Sequence, residues 1–97
     1  MKLLKNYAPP SPQQMEELKK YLGFSGRQMA GLAGLSGPNQ WRKYTGGEKP
    51  REMSAHVLFF MAAQLELDDE QLAAVARRMR EIGAEVEFDS WDNAEHD

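Results

Sequence analysis

The tightest constraint in this chain lies in residues 25–47, SGRQMAGLAGLSGPNQWRKYTGG. Two short segments with helical spacing of apolar residues are joined there by a glycine turn. In the first, Ser25 stands at an N-cap and Gln28 at the matching position of a capping box. Met29, Ala30, Leu32 and Ala33 form one apolar face, and Gly34 ends the segment. Where they are helical, Gly31 and Gly34 each lower intrinsic helix propensity by ~1 kcal/mol, so this helix depends on packing against its neighbours. Ala30 supplies the small side chain that a steeply crossing helix needs at close approach. The second segment follows Leu35-Ser36 and tolerates Pro38 only in its first turn. Trp41 and Tyr44 are three apart and face inward together, which leaves Asn39, Gln40, Arg42 and Lys43 on the outer face. Thr45-Gly46-Gly47 closes the segment. The arrangement that satisfies both halves is a helix-turn-helix.

The flanking chain supplies helices to bury the back of this unit. Residues 1–10 have no helical period and end in Pro9-Pro10, so they read as an extended arm, with Leu3, Leu4 and Tyr7 available to pack on the body. Ser11, Pro12 and Gln14 open a first helix that places Met15, Leu18 and Leu22 on one side and stops at Gly23. Lys19 and Lys20 fall in its last turn, where the helix dipole favours positive charge. A further helix is expected over residues 51–65. Val57 to Ala63 are all apolar, as in a helix buried on most sides. His56, at its edge, reads as a structural histidine. Asp68 and Gln71 cap a fifth helix, with Leu72, Val75, Ala76, Met79 and Ile82 on one face and Gly83 at its end. In the final stretch, residues 84–97, Val86 and Phe88 alternate with Glu85, Glu87 and Asp89, the period of a short strand. Two aromatics in this acidic segment, Phe88 and Trp91, call for cover, either by folding back on the domain or by contact with a second copy.

The expected fold class is therefore all-α: a compact bundle of four to five helices over residues 11–83, with a short C-terminal strand. At 97 residues the chain forms one domain with one core. The absence of cysteine excludes disulfides and thiolate metal sites. His56 and His96 stand far apart with no metal-ligand spacing around them. No apolar run reaches the ~20 residues of a membrane span, and the opening MKLLKNYAPP lacks the apolar stretch of a secretory signal. These features point to a cytoplasmic protein without a membrane partner or a cofactor. No phosphate loop and no His-carboxylate set at catalytic spacing is present, so an enzyme is not expected, and Asp68-Asp69 read as a helix cap.

Net charge is −3, but its distribution is uneven. Residues 1–51 carry nine Lys or Arg against Glu16, Glu17 and Glu48, whereas residues 52–97 carry three Arg against twelve Asp or Glu. Binding follows the local field rather than the total. The positive half is the half that contains the helix-turn-helix.

Residues 24–51 resemble the XRE family, the Cro and lambda-repressor-like regulators. The resemblance is carried by Phe24-Ser25, by Ala30 four residues before Gly34, by Leu35-Ser36, by the inward pair Trp41 and Tyr44, and by Gly47. It departs from the family pattern at two places. Four residues rather than three separate Ser36 from Trp41, and without the extra one Gln40 and Lys43 would point inward, which burial energetics reject. Gly37 is then the N-cap and Pro38 opens the helix. Gly26 and Thr45 stand where the family often has glutamine and glutamate, which shifts the phosphate contact of the second helix to Arg27 or Gln28.

The resemblance implies a third helix entering the major groove while the second crosses the backbone. Pro38, Asn39, Gln40, Arg42 and Lys43 would face bases, where amides suit adenine and basic groups suit guanine. Ser25, Arg27, Gln28, Ser36, Lys49 and Arg51 would grip phosphates, setting register without carrying sequence information. Lys2 and Lys5 fit either a tethered or disordered end or a basic arm entering a groove. Family members usually dimerise on palindromic half-sites. Here Leu72, Val75, Met79, Val86, Phe88 and Trp91 are the candidate two-fold interface. The implied function is double-stranded DNA binding by a dimeric, autoregulatory repressor of the kind found in phage and mobile elements, antitoxins and anti-CRISPR-associated regulators included. The alternative is a protein-interaction module, antitoxin-like or adaptor, that uses the fold only as a scaffold for a protein partner.

Overall fold

The computed structural model describes residues 4–87, and these residues are all-α. Five helices follow in order: α1 (Pro12–Leu22), α2 (Gly26–Leu32), α3 (Pro38–Thr45), α4 (Ala55–Glu66) and α5 (Asp69–Ile82). Three of them begin with the same reciprocal cap. Ser11 Oγ accepts from the Gln14 amide while Gln14 Oε1 accepts from the Ser11 amide, and Ser25 with Gln28 repeats this at the same distances. Asp68 and Gln71 do so at the start of α5. Each cap satisfies two donors that a helix start would otherwise leave unpaired.

α3 opens differently. Gly37 is its N-cap in extended backbone without a side-chain hydrogen bond, and Pro38 supplies a first position that needs no donor. The α2 end turns through Gly34, where φ is 72°, and the Leu35 amide donates back to the Ala30 carbonyl at 2.8 Å. This left-handed residue ends α2, and after a five-residue connection α3 packs on it.

The chain divides into two compact units within α4, between Met61 and Ala62. The core of the first unit takes Met15 from α1, Met29, Ala30 and Leu32 from α2, Trp41 and Tyr44 from α3, Met53 from the connection, and Met61 from α4. Leu18, Leu22, Phe24, Leu35, Val57 and Leu58 close around it. In the second unit α5 buries Ala76 and half-buries Leu72, while Val75, Met79 and Ile82 of the same face stay exposed.

Several expectations are corrected. α4 begins at Ala55 rather than near residue 51, because residues 51–54 do other work. The Arg51 amide donates to the Lys43 carbonyl, Met53 turns into the core, and Ser54 Oγ accepts from the Val57 amide as an N-cap. α4 is also not buried on most sides. Only Met61 is fully covered, and Phe59 is 64% exposed, because the core of the first unit meets one face of a helix that is apolar all round from residue 57 to 63. Leu4 is exposed, while Tyr7 attaches to the body through its hydroxyl, which donates to the Met53 carbonyl at 2.7 Å. His56, read as a structural histidine at the helix edge, lies exposed in the first turn of α4. Residues 84–87 are not a strand: the chain leaves Gly83 and the Val86 carbonyl accepts from Arg80 Nη1 at 3.1 Å. Phe88 and Trp91 lie outside the described residues, as do Lys2 and Leu3.

Candidate nucleic-acid interface

α3 is positioned by its two aromatic residues. Trp41 is 1% exposed and Tyr44 7%, with ring centroids 6.4 Å apart. Burying both fixes the rotation of the helix about its axis, since any other rotation would bring Arg42 or Lys43 into an apolar core that holds no buried partner for a charge. Asn39, Arg42 and Lys43 are consequently exposed, while Pro38 and Gln40 are half-buried at the edges of the face. One amide and two cationic side chains therefore share an open surface, with a second amide beside them. Such groups can donate to and accept from the polar edges of bases.

The first turns of α2 and α3 abut. A Cβ added at Gly26 would stand 3.3 Å from Pro38 Cβ, so the glycine at the start of α2 suits the proline that opens α3. Of the expected phosphate-gripping residues, Ser25, Arg27 and Ser36 are exposed and Gln28 is half-buried. Ser25 Oγ and Gln28 Oε1 are both engaged in the α2 capping box, which leaves Arg27 as the long cationic side chain of that turn.

At the other end of α3, Gly46 donates to the Arg42 carbonyl and Gly47 turns the chain with φ 85°. The loop then returns, and the Arg51 amide reaches the Lys43 carbonyl at 2.6 Å. This brings Arg51, and with it Lys49, to the C-terminal end of α3, where Arg42 and Lys43 already sit. The helix dipole alone favours cations at that end, by about 0.3–1 kcal/mol each at the surface. It does not account for two more cations arriving from the loop.

The return contact and the Tyr7 attachment are what sequence reasoning missed. Ser54 ahead of an apolar run does carry an N-cap signal, but the hydroxyl of Tyr7 has no local pattern that could name a partner 46 residues away. On α5, Val75 and Met79 of the proposed two-fold face are exposed, Leu72 and Val86 are half-buried, and Phe88 and Trp91 fall outside the described residues. Among the described residues no helix is long and apolar enough to cross a membrane. Comparison with protein families, curated proteins and solved structures gives no significant match.

Proposed function

We propose that this chain is a sequence-specific, double-stranded DNA-binding transcriptional regulator of the XRE type, acting in the cytoplasm as a dimeric autorepressor on a palindromic operator. The observation that carries the reading is the burial of Trp41 and Tyr44 on one side of α3, which leaves Asn39, Arg42 and Lys43 exposed on the other. In this reading α3 enters the major groove, Asn39 and Gln40 address adenine, and Arg42 and Lys43 address guanine. Arg27, Lys49 and Arg51 neutralise phosphates and set the register. Repression follows from occupancy: a bound promoter is closed to polymerase.

The test is a selection from random duplexes at two salt concentrations, repeated with Arg42→Ala and Lys43→Ala. A consensus is expected with the unaltered chain, and its loss with each variant while the helical circular dichroism stays unchanged. Binding without a consensus, falling steeply with salt, would reduce the contact to bare electrostatics and overturn the specific reading. A second reading is favoured by one observation, the exposure of Phe59 and Ile82. Apolar side chains left in water suit a protein partner, and the helix-turn-helix would then be scaffold only. Unchanged DNA binding in both variants would favour it.

A further inference from the structure

We infer that α4 carries a self-complementary face of its own, through which it pairs weakly and antiparallel with the α4 of a second copy of this chain. Neither a duplex nor any contact of α5 is needed for this pairing, so it goes beyond the DNA reading. Met61 is 1% exposed and turns into the core, which leaves the opposite side of α4 to His56, Phe59, Ala63 and Glu66. These residues stand at i, i+3, i+7 and i+10, the spacing of a straight seam along a helix. His56, Phe59 and Glu66 are exposed, Phe59 at 64%, and Ala63 is half-buried.

The order of residues along that seam suits another α4. An antiparallel copy centred at the level of Met61 sets residue 56 against residue 66, and residue 59 against residue 63. The bulky Phe59 ring then meets the small Ala63, once on each side of the two-fold axis, so a large side chain fills the hollow over a small one. At each end a His56 imidazole, which carries an N–H donor in either protonation state, faces a Glu66 carboxylate that accepts. A parallel pairing would set Phe59 on Phe59 and Glu66 on Glu66. The helix dipole gives no reason for this order, since it favours acids in the first turn and bases in the last. α4 has no acid in its first turn and no base in its last. Glu66 is therefore disfavoured by its own helix and suited to the N-terminal end of an antiparallel neighbour. A foreign partner would require none of this symmetry. The seam is short, about 15 Å from His56 to Glu66 at roughly 1.5 Å per residue. It is too short to bury the roughly 800 Å² per partner of a stable interface. The pairing is accordingly weaker than the two-fold contact expected of α5, and it forms at higher concentration.

The experiment is sedimentation equilibrium, without DNA, on the full chain carrying Ile82→Glu, which removes an α5 contact from the measurement. The average mass is expected to rise from monomer towards dimer in the upper micromolar range, and Phe59→Ser to abolish that rise with helical circular dichroism unchanged. His56→Glu sets glutamate against glutamate and Glu66→His sets histidine against histidine, so each is expected to weaken association severalfold. Together they exchange the two partners and are expected to restore it. Both substitutions accord with the helix dipole, so thermal unfolding of the dilute protein should be unchanged or raised, which separates lost association from lost fold. A chain that stays monomeric throughout overturns the inference, as does association that Phe59→Ser leaves intact. A double variant that associates no better than the single ones overturns the antiparallel register. With no duplex present, none of these outcomes bears on α3, whose reading is tested by the selection above.

Discussion

At the scale of single residues the turn that joins α2 to α3 depends on one glycine. Gly34 takes φ 72° to end α2, and a Cβ there would come within 3.2 Å of the Phe60 ring. Two penalties add in a Gly34→Ala variant. A left-handed alanine costs roughly 1–2 kcal/mol, and the Phe60 ring must shift or the turn must open. The expected loss is about 2–3 kcal/mol in a urea titration, with an unchanged slope against denaturant. Gly31 is the contrast. A Cβ there meets nothing, the residue is helical and exposed, and Gly31→Ala is expected to stabilise by up to ~1 kcal/mol. If both alanines destabilise alike, the turn geometry is not what distinguishes them, and the account of Gly34 fails.

Among the helices, the caps decide where each one begins, and they can be deleted singly. Asp68→Ala removes the acceptor for the Gln71 amide at the first turn of α5 and is expected to cost ~1 kcal/mol in urea unfolding. Ser54→Ala is expected to cost less, because its 3.2 Å bond to the Val57 amide has no returning side-chain bond. These starts also mark what was legible in advance. The boxes at Ser11, Ser25 and Asp68 are local patterns, three residues from donor to acceptor, and the sequence shows them directly. The same holds for Trp41 and Tyr44, whose spacing fixes one face of a short helix. For α4 the local signal was Ser54, three residues from the Val57 amide it caps, whereas the path of residues 51–53 was not legible, because Arg51 bonds back to Lys43 and Met53 to Tyr7. Nor was the burial of α4. An apolar run reports what a helix could bury, whereas exposure depends on how many neighbours reach it, and Phe59 stays 64% exposed.

For the molecule as a whole, the uneven charge implies that the proposed DNA binding and the proposed self-association respond to salt in opposite directions. A single domain of this size buries little surface on DNA and binds weakly alone, so the proposed repressor needs a second copy. The exposed stripe of α5, Val75, Met79 and Ile82, is the candidate face for that copy. It lies in the half of the chain that carries twelve acids against three arginines, so two copies meeting there repel at low ionic strength. Salt screens that repulsion, with a Debye length falling from about 30 Å at 0.01 M to about 10 Å at 0.1 M. The dimer should therefore tighten over this range by sedimentation, while contact with phosphates weakens. Affinity for a palindromic duplex, measured at a protein concentration near the dimer dissociation constant, is then expected to pass through a maximum as salt is raised. A single half-site shows only the decline. Ile82→Glu, at a position 79% exposed, should leave the fold intact, return the protein to a monomer and abolish the maximum. A monomer at every salt concentration that still prefers the palindrome over the half-site would place the second copy's contact somewhere other than α5.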